Sequence, residues 1–305
     1  MTRYQKEEAK NVHRSRRIGT CPTLVILFLL AAVLIVMPSL SVISYAYAAV
    51  DKFGVEMVYN TKSGGEQWYM NMNTPTSDSR FAPKTTLTKN ADGSWKVKSD
   101  QVRMNVFTST GYDQDKIATY NQKTLATKGY MQSSNDWKNT EVTGYIKVNS
   151  YQDLDTISWY GRGGTHSDSH SCEGTAYKGL LWYNGRTDFA KEQDHPDTTS
   201  TTEKTVTGSL TGKWIGFKFV MYNFQQNGKI VVKLENYLDP DNDKDFDKVY
   251  EKIDSGGWGN DGGGCSGSSD QIITWGGPIA TFRWDTANNV DIKWLSVREI
   301  QPPVQ

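Results

Sequence analysis

Runs of β-branched and aromatic residues fill the chain after residue 50, no stretch there carries a helical period, and clusters of Gly, Asn, Asp and Ser separate the runs. Together these features predict an all-β protein: a two-sheet antiparallel jelly-roll sandwich preceded by an N-terminal signal peptide or single transmembrane anchor. Roughly a dozen strands are more than a simple immunoglobulin-like sandwich needs, which favours the larger jelly roll. The clearest strands are 142–149, 156–160, 177–183, 187–193, 214–222, 230–237, 272–275, 279–284 and 290–297, with earlier ones at 55–59, 67–72, 95–97 and 102–107. One domain is expected over 51–300, with 301–305 as a tail.

Residues 1–22 carry Arg3, Lys6, Lys10, Arg14, Arg16 and Arg17 against Glu7 and Glu8, and residues 23–50 carry no charge at all. That is the pattern of an export signal, and Ala46-Tyr47-Ala48 before Ala49 fits a small-x-small cleavage site. The apolar run is also long enough, at roughly 20 residues, to span a bilayer uncleaved. Either way the basic flank stays inside and the rest is exported, secreted or extracytoplasmic and membrane-anchored. The membrane is a partner only through this segment.

The whole chain holds 34 basic and 34 acidic side chains, and setting aside residues 1–22 leaves 28 against 32. A mildly acidic exported part gives no electrostatic basis for binding nucleic acid. Of the three cysteines only Cys172 and Cys265 lie in that part. An oxidising compartment predicts that they pair, and closing so long a loop restricts the unfolded chain by roughly 4–5 kcal/mol in the entropic account.

Strand alternation sorts the candidate faces. In 214–222 Ile215, Phe217, Phe219 and Met221 fall on one side and Trp214, Lys218 and Tyr222 on the other. In 156–160 Ile157 and Trp159 point one way and Ser158 and Tyr160 the other, and the same count carries Arg162 to the side of Tyr160. The stretch that follows is dense in chemistry: His166, His170 and Cys172, then Lys191, Glu192 and His195. Zinc binding by the three histidines is disfavoured, because a spacing of four is diagnostic mainly on a helix and these lie among glycines and serines. The expected groove is lined by Tyr160, Arg162, Lys191, Glu192, Lys218 and Tyr222. The loops 196–207 and 255–270 would border it.

The series Gly144-Tyr145-Ile146-Lys147-Val148, Ile157-Ser158-Trp159-Tyr160-Gly161-Arg162-Gly163-Gly164, Gly212-Lys213-Trp214-Ile215-Gly216-Phe217-Lys218 and Val290-Asp291-Ile292-Lys293-Trp294-Leu295 resembles the concanavalin A-like lectin and glucanase superfamily. That resemblance implies a concave sheet that contacts saccharide. Phe217-Lys218-Phe219-Val220-Met221-Tyr222-Asn223 further resembles the Tyr-Phe-Lys-Ala-Gly-x-Tyr-x-Gln strand of alginate lyases, which implies Tyr222 as an acid/base group. β-Elimination needs a neutraliser for the uronate carboxylate and a proton donor and acceptor. Arg162 would be the neutraliser, with Tyr222 and His166 or His195 moving protons. The chain has no Gln-Ile-His or Gln-Val-His tripeptide and no Glu-x-Asp-x-x-Glu pattern of the glucanase branch.

Asp239, Asp241, Asp243 and Asp245 form an aspartate ladder after a strand. Crowded carboxylate oxygens suit Ca²⁺ in a structural role. The loop lacks the Gly and Glu positions of an EF-hand, and a solvated hairpin joining 230–237 to 249–253 is the competing reading. Aromatics make up 12% of the chain, with ten tryptophans, which is compatible with a sugar-stacking surface. Trp159, Trp284 and Trp294 are expected in the core, and Trp182, Tyr183, Trp258 and Trp275 nearer the surface.

The reading is an exported carbohydrate-binding protein for an extracellular polysaccharide, acidic because the expected groove cations are Arg162, Lys191 and Lys218. The alternatives are a polysaccharide lyase acting on a uronate polymer and a membrane-anchored cell-envelope protein with no sugar site. Enzyme activity and oligomeric state are left open.

Overall fold

Side chains that alternate between apolar and polar cannot bury one face without a second layer, and here two antiparallel sheets bury each other. The computed structural model describes residues 49–111, 136–163, 175–193, 198–259 and 271–303. In chain order its strands are β1 (Gln67–Tyr69), β2 (Phe81–Ala82), β3 (Leu87–Lys89), β4 (Trp95–Val97) and β5 (Gln101–Phe107). There follow β6 (Thr140–Ser150), β7 (Thr156–Gly163), β8 (Ala176–Trp182), β9 (Arg186–Glu192), β10 (Thr198–Ser200) and β11 (Lys204–Thr205). The last are β12 (Ile215–Gln226), β13 (Lys229–Asp239), β14 (Asp247–Asp254), β15 (Ile279–Asp285) and β16 (Asn289–Glu299).

Sheet I runs β14-β13-β12-β6-β16-β4-β3, with β1 also on β16, and sheet II runs β10-β9-β8-β7-β15-β5-β2, with β11 also on β9. Strands distant in sequence are neighbours in both sheets, as in a jelly roll. The core between them is continuous and takes Ile157 and Trp159 from β7, Phe217, Phe219 and Met221 from β12, Phe282 and Trp284 from β15 and Ile292 from β16. The sheets approach so closely at β7 that a Cβ on Gly161 would run into the methyl of Met221.

A second apolar cluster lies outside sheet I. Residues 49–66 form only isolated bridges, Val50 with Glu56 and Thr61 with Ile300, in place of the strand expected at 55–59. Phe53, Val55, Val58 and Tyr59 from this segment pack on Tyr145, Val220, Tyr222, Tyr237, Phe246, Trp294 and Ile300. The segment covers the outer face of sheet I.

Several local expectations are revised. Residues 272–275 are not a strand, although Ile273 and Trp275 are buried. Within the expected loop 196–207 the chain adds β10 and β11 to the edge of sheet II. Trp159 and Trp284 are core as predicted, but so are Tyr183, Trp258 and Trp275. Trp294, placed in the core from sequence, is half-buried in the outer cluster because β16 shifts register between Lys293 and Ser296.

Residues 1–48, which hold the export-signal expectation, lie outside the described residues. So do His166, His170, Cys172, His195 and Cys265. No helix among the described residues is long and apolar enough to cross a membrane.

Candidate functional site

The residues expected to share one groove occupy three separate places. Tyr160 and Glu192 lie on the outer face of sheet II. Arg162 and Lys191 are turned inward at the end of the sandwich. Lys218 and Tyr222 lie on the outer face of sheet I, beneath residues 49–66.

Arg162 leaves the side of Tyr160 because β7 contains a bulge. Tyr160 pairs with Thr281 and Gly163 with Ile279, so three steps on β7 match two on β15. Such an extra residue reverses the alternation beyond it, and Arg162 itself sits at φ 64°. Its guanidinium is fully buried, donates from Nη1 to the Ile273 carbonyl at 2.6 Å and lies 5.8 Å from the Tyr177 ring centroid. Burial draws its pKa down to about 10. Lys191 is adjacent to Glu192 on β9 and therefore points the opposite way, into the interior. It pairs with Asp254 at 2.8 Å and donates to the Trp258 carbonyl at 2.8 Å. Tyr177 donates to the same Asp254 at 2.5 Å, and burial raises its pKa well above the ordinary phenol value. These groups form an internal polar network.

Lys218 does lie on the side that alternation assigns, but that side is closed. Its Nζ contacts Glu141 at 2.9 Å, Thr143 Oγ1 at 3.2 Å and the Glu56 carbonyl at 2.8 Å. Arg298 meets the other Glu141 oxygen at 2.8 Å and donates to Thr61 Oγ1 and to the Tyr59 carbonyl. The amide of Val58 donates to Glu141 as well. One carboxylate and two cations, all buried, thus clamp the covering segment onto sheet I. Burial alone would raise the Glu141 pKa, but Lys218 and Arg298 beside it hold it below the usual carboxylate range. Tyr222 lies edge-on to Tyr59 at 5.5 Å, and burial raises its pKa. Arg162 and Tyr222 belong to different sheets and face different surroundings, so the lyase arrangement proposed from sequence is not assembled.

The aspartate ladder is a turn between β13 and β14. Asp239, Asp241 and Asp243 do come within 4.8 Å of one another, but Asp239 is fully buried and both of its oxygens are engaged. Oδ1 accepts the amides of Asn242 and Asp243, and Oδ2 accepts the Lys244 amide and the Tyr145 hydroxyl. The turn is thus held by the hydrogen bonds of Asp239, while Asp239, Asp241 and Asp243 keep carboxylate oxygens close enough together to share a hard cation such as Ca²⁺. Asp245 stands outside the group, its amide donating to Asp243.

Among the described residues, the face left uncovered is the outer side of β7, β8, β9 and β15 on sheet II. Its depression, about 230 Å³, is lined by Thr156, Ser158, Tyr160, Lys178, Trp182 and Arg283, among others. Tyr160 is the centre. Arg283 Nη1 donates to its hydroxyl at 2.6 Å, and Lys178 Nζ stands 4.7 Å from its ring centroid. Both cations lining the depression are neutralised: Lys178 pairs with Glu192, and Arg283 pairs with Asp285 at 2.7 Å. Arg103 reaches the same Asp285 at 2.8 Å. Burial alone would raise the Asp285 pKa, but the two arginines hold it low. Thr156 and Ser158 hydroxyls lie 2.9 Å apart. At the far end Trp182 is half-buried, its indole N–H donating to Asp188 at 2.9 Å. Burial raises the Asp188 pKa to about 6. Sequence reasoning found Tyr160 and Glu192 here and placed Trp182 nearer the surface, but missed Lys178, Arg283 and Asp285. The alternation of 279–284 could have supplied Arg283, which is flanked by the core residues Phe282 and Trp284.

No family model and no curated protein matches the chain. Solved structures similar to it include the metal-free Emp46p carbohydrate recognition domain, 7% identical with TM-score 0.44, over 80% of this chain and all of that one. A protein with a galectin-like fold from Bacillus subtilis is 9% identical, with TM-score 0.40, over 78% of this chain and 100% of its own. The Ca²⁺/Man3GlcNAc-bound exoplasmic/lumenal domain of VIP36 is 10% identical, with TM-score 0.34, over 74% and 84%. At these scores the likeness carries no function to this chain.

Proposed function

We propose that the outer face of sheet II binds a neutral saccharide. The observation that carries this reading is the Tyr160 platform: a half-buried aromatic ring in a depression also lined by the exposed Thr198 and Ser200, with Trp182 at the other end and every lining cation already paired with a carboxylate. Sugar rings present C–H faces that stack on phenol and indole, and their hydroxyls both donate to carboxylates and accept from cations. A paired lysine or arginine serves such hydroxyls well and has little charge left for a uronate. The acidic polysaccharide inferred from Arg162, Lys191 and Lys218 loses its basis on this face, since all three are internal. The concanavalin A-like resemblance, the division at 51–300 and export by residues 1–50 belong to the same reading. It is one of a lectin-like exported domain, without a catalytic step assigned to it.

Isothermal titration of the full chain with neutral gluco-, galacto- and manno-oligosaccharides tests the reading. At least one is expected to bind, and Tyr160→Ala to weaken it about tenfold or more while the melting temperature holds. Absence of binding across the series, or binding indifferent to Tyr160→Ala and Trp182→Ala alike, rejects it.

A further inference from the structure

A second cleft, about 530 Å³, opens where the covering segment meets β1 at the edge of sheet I. Its size falls within the range of small-ligand sites, and it shares no lining residue with the sheet II depression. Trp68 takes the interior side of β1, so Tyr69 faces outward into the cleft. Phe53 holds the Tyr69 ring edge-on at 5.5 Å, and the Tyr69 hydroxyl donates to Gln67 Oε1 at 3.1 Å.

The polar groups around this ring are unevenly committed. Among the acceptors, Asp78 takes the Trp68 indole N–H on one oxygen and the Arg80 amide on the other. The Gln67 oxygen takes Tyr69. Donors are left over. Among the described residues, Lys52 Nζ, exposed and 5.8 Å from the Tyr69 centroid, makes no ion pair, and the Gln67 and Asn73 side-chain amide N–H groups have no protein acceptor. Arg80, also lining the cleft, pairs with Glu66 at 3.0 Å and with Asp78 at 3.7 Å. The cleft therefore combines an aromatic face, spare amide donors and one cation, Lys52, outside any ion pair among the described residues, whereas both cations in the sheet II depression are paired.

We propose that this cleft is a second saccharide site, taking a sugar residue that carries a carboxylate, with Lys52 pairing to the carboxylate and Tyr69 supplying the stacking face. It shares with the sheet II reading only the general class of ligand and stands without it. A protein with both sites would hold an acidic and a neutral glycan at once.

The test is titration of the full chain with a short oligogalacturonate. Binding is expected for wild type, undiminished in Tyr160→Ala and weakened by added salt. Lys52→Gln, an exposed change with no folding consequence, is expected to weaken it about three- to fivefold, the scale of one solvent-screened ion pair. Tyr69→Leu is expected to cost more. No binding by wild type, full affinity in Lys52→Gln, loss in Tyr160→Ala, or displacement by acetate at equal concentration would each overturn the proposal. If neutral sugars fail to bind while oligogalacturonate behaves as expected, the sheet II reading falls and this one stands.

Discussion

On sheet II the outward side chains of β7, β8 and β15 leave a depression open around Tyr160, whereas on sheet I those of β6, β12 and β16 meet residues 49–66 of the same chain. Each face has an outward lysine paired with a glutamate. Lys178 with Glu192 flanks an aromatic platform, while Lys218 with Glu141 and Arg298 clamps the covering segment by its backbone. The chemistry of the pair is the same in both places. What differs is the covering layer, which turns one face into structure and leaves the other free to bind.

Breaking the clamp should produce the largest effect. Glu141→Ala leaves two buried cations without a counter-charge and is expected to destabilise by about 3–5 kcal/mol, read by urea unfolding. The same carboxylate makes stability pH-dependent. Its folded pKa lies below the unfolded value of 4.5, so its contribution is full above that value and is lost as pH falls through the folded pKa. Wild type should lose stability on acidification below about pH 4.5 by more than Glu141→Gln does.

Next comes the cover itself. Tyr59 packs on Tyr222 and donates to Glu235 at 2.8 Å, so Tyr59→Ala is expected to cost about 2–3 kcal/mol. Saccharide binding at sheet II should survive it. A smaller effect, of opposite sign, belongs to the open face. Asp188 has a folded pKa raised by burial from 3.8 to about 6, so the folded state holds the extra proton between those values and stability declines as pH rises through them. Asp188→Asn keeps an acceptor for the Trp182 indole and removes the buried charge. It is expected to gain about 1–2 kcal/mol above pH 6 and nothing below about pH 4. Last, EDTA or added Ca²⁺ should shift the melting temperature by no more than about 1 °C, because the aspartate turn is held by its own amides and Tyr145.

Alternation made much of this legible from sequence. It placed Ile157 and Trp159 inward and Ser158 and Tyr160 outward, and it set Ile215, Phe217, Phe219 and Met221 against Lys218 and Tyr222. The single bulge after Tyr160 was not legible, since nothing in Gly161-Arg162-Gly163 announces which residue is supernumerary, and one such residue carries Arg162 from the surface to the interior. Lys191 and Glu192 could have been separated, being neighbours on one strand. The cover was the other hidden element. Val55, Val58 and Tyr59 read as one more strand, but their role depends on where an irregular segment lies in space, and strand periodicity cannot supply that.

The central claim is that binding belongs to the open face and not to the covered one, and hydroxyl-radical footprinting of the full chain with and without a saturating neutral oligosaccharide tests it directly. Trp182 on sheet II and Trp214 on the outer side of sheet I are both half-buried, so each reports on its own face. Protection of Trp182 and Tyr160 by the ligand, with Trp214 and Tyr59 unchanged, is the predicted result. Protection of Trp214 and Tyr59 with Trp182 and Tyr160 unchanged would contradict it.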